Sequence, residues 1–180
     1  MGRLKNRIPC SLIPSFVFEL RGLDSCKALL PFGWSRLWDD ELYLVEADSS
    51  GTISLENYIH ALKDGDLDSF KSLLRALAAC LRAIKELEDW FIVSEMLSFD
   101  PAKIFLSENL KHGHPHLRAA FVFGEGIDQY RGLLGLLDAA SHSMPQSAGI
   151  IRMRLEERFR KASPSIADLI GFLSLWILEL

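Results

Sequence analysis

Residues 66–106 read DLDSFKSLLRALAACLRAIKELEDWFIVSEMLSFDPAKIFL, and this stretch decides the fold. Phe70, Leu73, Leu74, Leu77, Leu81 and Ile84 recur at the i, i+3, i+4, i+7 spacing that gathers apolar side chains on one face of an α-helix. The opposite side, with Ala76, Ala79, Cys80 and Ala83, is hardly more polar. A helix that is apolar nearly all round is packed on several sides. The spacing therefore predicts a central helix over 68–91, with the rest of the chain built around it. From 98 to 106 the chain runs through a loop into a strand-like segment. No residue in the stretch is equipped for catalysis, so it predicts an architecture and no specific activity.

At 180 residues, 49% hydrophobic and 24% charged, the chain suits one domain over 1–180 with a full core. A net charge of -4 gives no global attraction to nucleic acid or to anionic lipid, so neither is expected as a partner. The cysteines Cys10, Cys26 and Cys80 are odd in number and lack C-x-x-C spacing. They predict a reducing, cytoplasmic setting without a disulfide framework, with Cys80 as a buried thiol among alanines. Arg3, Lys5 and Arg7 before an apolar run imitate a signal peptide. Pro9 and Pro14 interrupt that run, Glu19 follows it, and no small-x-small cleavage site is present, so the expectation is that it is not one. Residues 166–180 are apolar but carry Asp168 and Glu179, and are too short and interrupted to span a bilayer.

Residues 1–12 are expected to be irregular and 15–47 to form strands and a hairpin. Within that part, 15–20 is aromatic and β-branched like a first strand. The runs 34–38 and 41–47 form a hairpin around Asp39-Asp40, a weaker turn than Asn-Gly. Residues 54–180 are expected to be mainly helical, with a second hairpin at 103–123. Ser54 caps a helix to 62, and Gly65-Asp66 breaks it. The second hairpin has strands at 103–107 and 117–123 and a loop at 108–116. Helices follow over 130–142 and 148–161. The last begins after Ser163-Pro164-Ser165, with Ile166, Leu169, Ile170 and Leu173 on its core side. Strands and helices segregated in this way predict an α+β fold.

The most conspicuous chemical cluster is His112-Gly113-His114-Pro115-His116. Alternating histidines on an extended segment share a face and suit zinc or copper. A metal centre also needs further ligands and a supporting shell, which the sequence does not locate, so solvated histidines at a hairpin tip are the reading taken. The acidic groups Asp39-Asp40, Glu86-Glu88-Asp89 and Glu156-Glu157 fall in a turn and on exposed helix faces. Trp34 and Trp38 share one side of a strand, as core or, if exposed, as a partner surface. Arg152, Arg154, Arg158, Arg160 and Lys161 form a stripe that Glu156 and Glu157 dilute into a solvated helix face. Neither G-x-S-x-G, G-x-x-x-x-G-K-[ST] nor H-E-x-x-H occurs. No catalytic, cofactor-binding or metal residue is assigned, and no cofactor is expected.

In its order of elements, 92–124 resembles the catalytic half of a protein kinase, where a long buried helix leads into H-R-D-L-K-P-x-N-I-L-L and a hairpin leads into D-F-G. Pro101-Ala102-Lys103-Ile104-Phe105-Leu106 is similar to P-x-N-I-L-L, and Phe121-Val122-Phe123-Gly124 to the strand that ends in D-F-G. Carried across position by position, the base aspartate falls on Ser98, the metal-holding asparagine on Lys103 and the D-F-G aspartate on Val122. Neither G-x-G-x-x-G nor V-A-I-K is present. Over residues 25–173 the chain looks closer still to a bacterial degenerate kinase-like domain of unknown function, the type found ahead of forkhead-associated domains in Gram-positive bacteria. The matching runs are 29–32, 41–44, 54–59, 70–87, 100–106 and 165–169. The kinase-like cytoplasmic domain of the type VII secretion membrane component is a more distant relative.

The resemblance implies a reduced kinase-like fold and a non-catalytic, cytoplasmic, protein-binding role in signalling or secretion. Contact with a membrane complex would then pass through a protein partner. Expected contact sites are the Trp34/Trp38 hairpin or a groove beside Ser98 and Lys103. Two alternatives stay open. One is a small enzyme, such as an atypical phosphotransferase using the Ser98/Lys103 cleft or a hydrolase using His112, His114 and His116. The other is a structural subunit that buries the apolar carboxyl terminus against a partner.

Overall fold

The computed structural model describes residues 3–19, 26–37, 41–111, 114–124, 126–160 and 164–180, with 16, 108–111 and 114–116 described by their backbone. The central helix, α3, spans Leu67–Glu88 and starts where Asp66 accepts a hydrogen bond from the Ser69 N–H at 2.9 Å. Leu73, Leu74, Leu77, Leu81 and Ile84 are buried, and so are Ala76, Ala79, Cys80 and Ala83 behind them. Both sides are covered, as the sequence requires. The helix ends in a Schellman-type turn, with Ile92 N–H donating to Leu87 O at 3.1 Å and Phe91 N–H to Glu88 O at 3.0 Å. Phe91 takes the left-handed position, φ +58°, where glycine is usual.

One three-stranded antiparallel sheet has the order β1-β3-β2, formed by Arg3–Pro9, Leu42–Asp48 and Phe32–Leu37. The hairpin of β2 and β3 is in place, pairing Phe32 with Ala47 and Leu37 with Leu42. Trp38, Asp39 and Asp40 lie outside the described residues. Two expectations for the amino-terminal region are corrected. Residues 1–12, expected to be irregular, hold strand β1. Its alternating Arg3, Lys5 and Arg7 look like a solvated tail, yet charged residues suit one face of an edge strand, and Pro9 ends it. Residues 15–20, expected to be a strand, begin with a single helical turn, α1, Ser15–Phe18. Pro14 precedes that turn, whose packing buries Val17 and sets Phe18 among Phe32, Tyr43 and Phe123. Packing overrides local β-propensity there.

The second sheet, β4-β5-β6, comprises Ile53–Ser54, Phe105–Lys111 and His114–Ala120. Its strands run further than expected. Residues 108–116, read as a loop, are largely ladder, with Glu108 paired to Leu117 and Lys111 to His114. Strands β5 and β6 reach Lys111 and His114 because polar residues can be carried in a hairpin ladder as readily as in a loop.

Helix α2, Leu55–His60, is capped by Ser54, and α4, Gln129–Ala140, by Asp128. Helices α5, Pro145–Arg158, and α6, Ile166–Glu179, complete the chain, α5 starting three residues earlier than its apolar spacing indicates. The fold is α+β. Against α3 pack α6 on one side and β6 on another. The thiol of Cys80, inside α3, is pushed up by burial to about 12. No helix among the described residues is long and apolar enough to cross a membrane.

Candidate interaction surface

Of the three positions singled out by the sequence resemblance, Ser98 and Val122 lie side by side. Leu97 bridges Phe123, and Ser98 N–H donates to Val122 O at 3.1 Å. Gly124 N–H donates to Met96 O at 3.0 Å, so 96–98 and 122–124 run side by side. Ser98 is only 7% exposed, and a Cβ added at Gly124 would lie 2.9 Å from the Ser98 Cβ. The backbone crossing thus closes over Ser98, and the groove expected beside it is not open at that residue. Val122 is buried with Leu30, Ala47 and Phe105. Lys103 ends a one-turn 3-10 helix, Pro101–Lys103, held at its start by Asp100, which accepts from Ala102 N–H at 3.0 Å.

The other expected sites divide. Trp34 is 42% exposed, with its ring stacked on Phe18 at 4.9 Å and edge-on to Tyr43 at 5.8 Å. It is pinned at the sheet surface, while Trp38 lies outside the described residues. His114 and His116 sit at alternate positions of β6, opposite Lys111 and Asn109. Their side chains, and all of His112, lie outside the described residues. A different histidine cluster, separated in sequence, meets in a hollow of about 400 Å³ between α2 and α4. There the Ser143 hydroxyl lies 2.7 Å from His60 Nδ1, beside Glu56 and His142. The nearby amides that begin α5 are not free to stabilise an oxyanion, because Asp64 already accepts from Gln146 N–H at 2.9 Å and Ser147 N–H at 3.0 Å.

Among the described residues, exposed apolar side chains gather on the last two helices. Helix α6 buries Ile166, Leu169, Leu173 and Trp176 and turns Leu175, 64% exposed, and Leu178, 82% exposed, to solvent. On α5, Met153 is 60% exposed and Ile150 is also exposed, one helical turn from Arg154. Arg154 holds its guanidinium 4.6 Å from the Trp176 ring centre, joining the two helices. Between them lies a groove of about 480 Å³, lined by Phe159, Phe172, Leu175 and Trp176 and edged by Arg158 and Asp168. The Trp176 ring also meets Phe70 of α3 at 5.4 Å and Phe172 at 5.8 Å, so the floor of the groove is anchored in the core. Arg152, in the basic stripe, pairs with Asp138 and with Glu156.

Both helices are fixed at their starts by carboxylates. Asp64 caps α5 from a distant loop, since Met144 has no side chain able to do so, and Ser165 and Asp168 form a capping box on α6. The amide of Gln146 chiefly holds the Asp64 carboxyl below its ordinary 3.8, and the Ser165 hydroxyl does the same for Asp168. A carboxyl depressed in the folded state stabilises it above the unfolded value and loses that effect as pH falls through the folded one. Urea midpoints should therefore decline below about pH 4. A D64N/D168N double variant should start lower at pH 7 and show a flatter decline; an unchanged acid slope would mean that these caps do not hold the helices.

The sequence marks α6 and, in one alternative, an apolar carboxyl terminus left for a partner to bury, but not which of its leucines are exposed. The signal was its composition: IADLIGFLSLWILE is apolar on more sides than one core contact can cover. No family model matches the chain, and no curated protein matches it. Among solved structures it is similar to the cytoplasmic fragment of ESSB from Staphylococcus aureus, at 17% identity over 97% of this chain and 98% of that one, with a TM-score of 0.45.

Proposed function

We propose that the chain is a non-catalytic, kinase-like interaction module of a signalling or secretion assembly, and that it engages a protein partner through the α5–α6 face. The observation that carries this reading is the exposure of Leu175 and Leu178 on a helix whose other sides are already packed. Exposed leucines next to an aromatic groove with a charged rim have the composition of a protein contact site. The chemistry argues the same way. Phosphoryl transfer requires magnesium held by carboxylate and amide oxygens and a carboxylate to orient the hydroxyl. By the kinase resemblance those positions carry Lys103, Val122 and Ser98, and Ser98 is closed over by Gly124.

Calorimetric titration with ATP, with and without magnesium, tests the non-catalytic half of the proposal. The expected result is no magnesium-dependent binding; clear magnesium-dependent binding would overturn it. The surface half is tested by a L175E/L178E variant, which should keep the wild-type circular dichroism and thermal midpoint yet lose its partner in a pull-down.

The Ser143–His60 contact favours an enzyme as the second reading. Turnover of a generic ester that disappears in S143A would support it.

A further inference from the structure

We infer that a small basic hollow between α3, β6 and residues 26–29 binds a phosphate-type oxyanion. It lies apart from the α5–α6 groove and does not depend on the interaction reading. Its rim carries Lys27, Arg82 and Arg118, and its floor is made of the small side chains Ala79, Ala83 and Ala119 with Leu117. The three cations come from sequence positions far apart, yet their supports are locked together. Phe121 N–H donates to Ala28 O at 2.8 Å, Leu30 N–H donates to Phe121 O at 3.1 Å, and α3 packs on β6. The cationic groups are thus brought to one place by the core, which is how a site is preorganised for a charged ligand.

The charge balance is local and contrary to that of the whole chain. Among the described residues that line the hollow, three are basic and one, Glu86, is acidic, in a protein whose net charge is -4. Glu86 lies 3.9 Å from the Cys26 thiol, and among the described residues neither Lys27 nor Arg118 has an ion-pair partner. Arg82 donates to the Ser174 hydroxyl of α6 at 3.3 Å, a neutral contact on the α6 side of α3 that does not cancel its charge. Gathering unpaired cations costs repulsion that an anion relieves, and guanidinium forks match the oxygens of a phosphate. The hollow measures about 180 Å³. That is below the ~300 Å³ at which sites for whole small molecules begin, so it fits a single phosphate group, and the rest of any larger ligand would lie outside it.

Inorganic phosphate, titrated at constant ionic strength against chloride and followed by amide chemical shifts, is the direct test. Phosphate should move resonances of Lys27, Arg82 and Arg118 with a saturating curve. K27Q and R118Q, each on the solvent side of the hollow, should weaken it roughly tenfold, the loss of one charge-assisted hydrogen bond. E86Q should tighten binding, because the one opposing charge among the described lining residues is removed; this variant keeps the test decisive if R118Q proves unstable. An equal response to chloride, unchanged affinity in K27Q and R118Q, or weaker binding in E86Q would each overturn the proposal. A phosphothreonine peptide binding more tightly than the free ion would identify a modified protein as the source of the group, and equal affinity would identify the free ion.

Discussion

Substituting Gly126 by alanine is expected to lower the stability of this protein by about 3 kcal/mol or more, the range of strongly overpacked sites. A Cβ at this position would lie 2.2 Å from the carbonyl oxygens of both Leu97 and Ser94, and 3.2 Å from the Glu95 carbonyl carbon. These are backbone atoms, so no rotamer change relieves the overlap. Moving them would break the Gly126 N–H bond to Glu95 O, 3.0 Å, and disturb the neighbouring Gly124 N–H bond to Met96 O. In a chain of this size the thermal midpoint should fall by roughly 6–12 °C, taking about 2–4 °C per kcal/mol. Alanine at Gly135 of α4 or Gly171 of α6 is the matched control. Nothing lies within 4 Å of either added Cβ, and both are helical, so stability should rise by about 0.5–1 kcal/mol. Gly126→Ala matching these controls in calorimetry would show that 94–97 and 126 are not in close register.

The difference between glycines that tighten and glycines that loosen the fold illustrates what the sequence can convey. Helix α3 was legible because its apolar spacing and its alanines are properties of a single segment. The β2–β3 hairpin, the cap at Ser54 and the break at Gly65-Asp66 were legible for the same reason, although the capping role of Asp66 was not. Strand β1 was not, since its basic alternation has the same composition as a solvated tail, and only pairing with β3 separates the two. Helix α1 was misread because Phe18 owes its conformation to Phe32, Tyr43 and Phe123, residues distant in the chain. Surface sites follow the same logic. Apolar α6 was visible, but which of its leucines meet water depends on where α3 and α5 lie. Lys27, Arg82 and Arg118 carry no common motif at all; their meeting is a product of tertiary structure alone.

On α6 the two roles of leucine should separate cleanly by mutation. Leu173 is fully buried against the core, and Leu173→Ala should cost about 2–5 kcal/mol, the lost transfer energy plus the cavity left behind. Leu178, five residues on, is 82% exposed, and Leu178→Ala should change stability by no more than about 0.5 kcal/mol. Urea unfolding at low protein concentration measures both. The contrast matters because the two residues have the same chemistry on one helix, so propensity and composition cancel. Lys71 Nζ also donates to Leu180 O at 2.7 Å, fixing the end of the helix independently of either leucine. A large loss for Leu178→Ala would mean that this face is already covered in the isolated chain, and the α5–α6 surface would then be core. A small loss, coupled with lost partner binding in the L175E/L178E variant, leaves exposed apolar area that folding does not require, and a binding partner accounts for it.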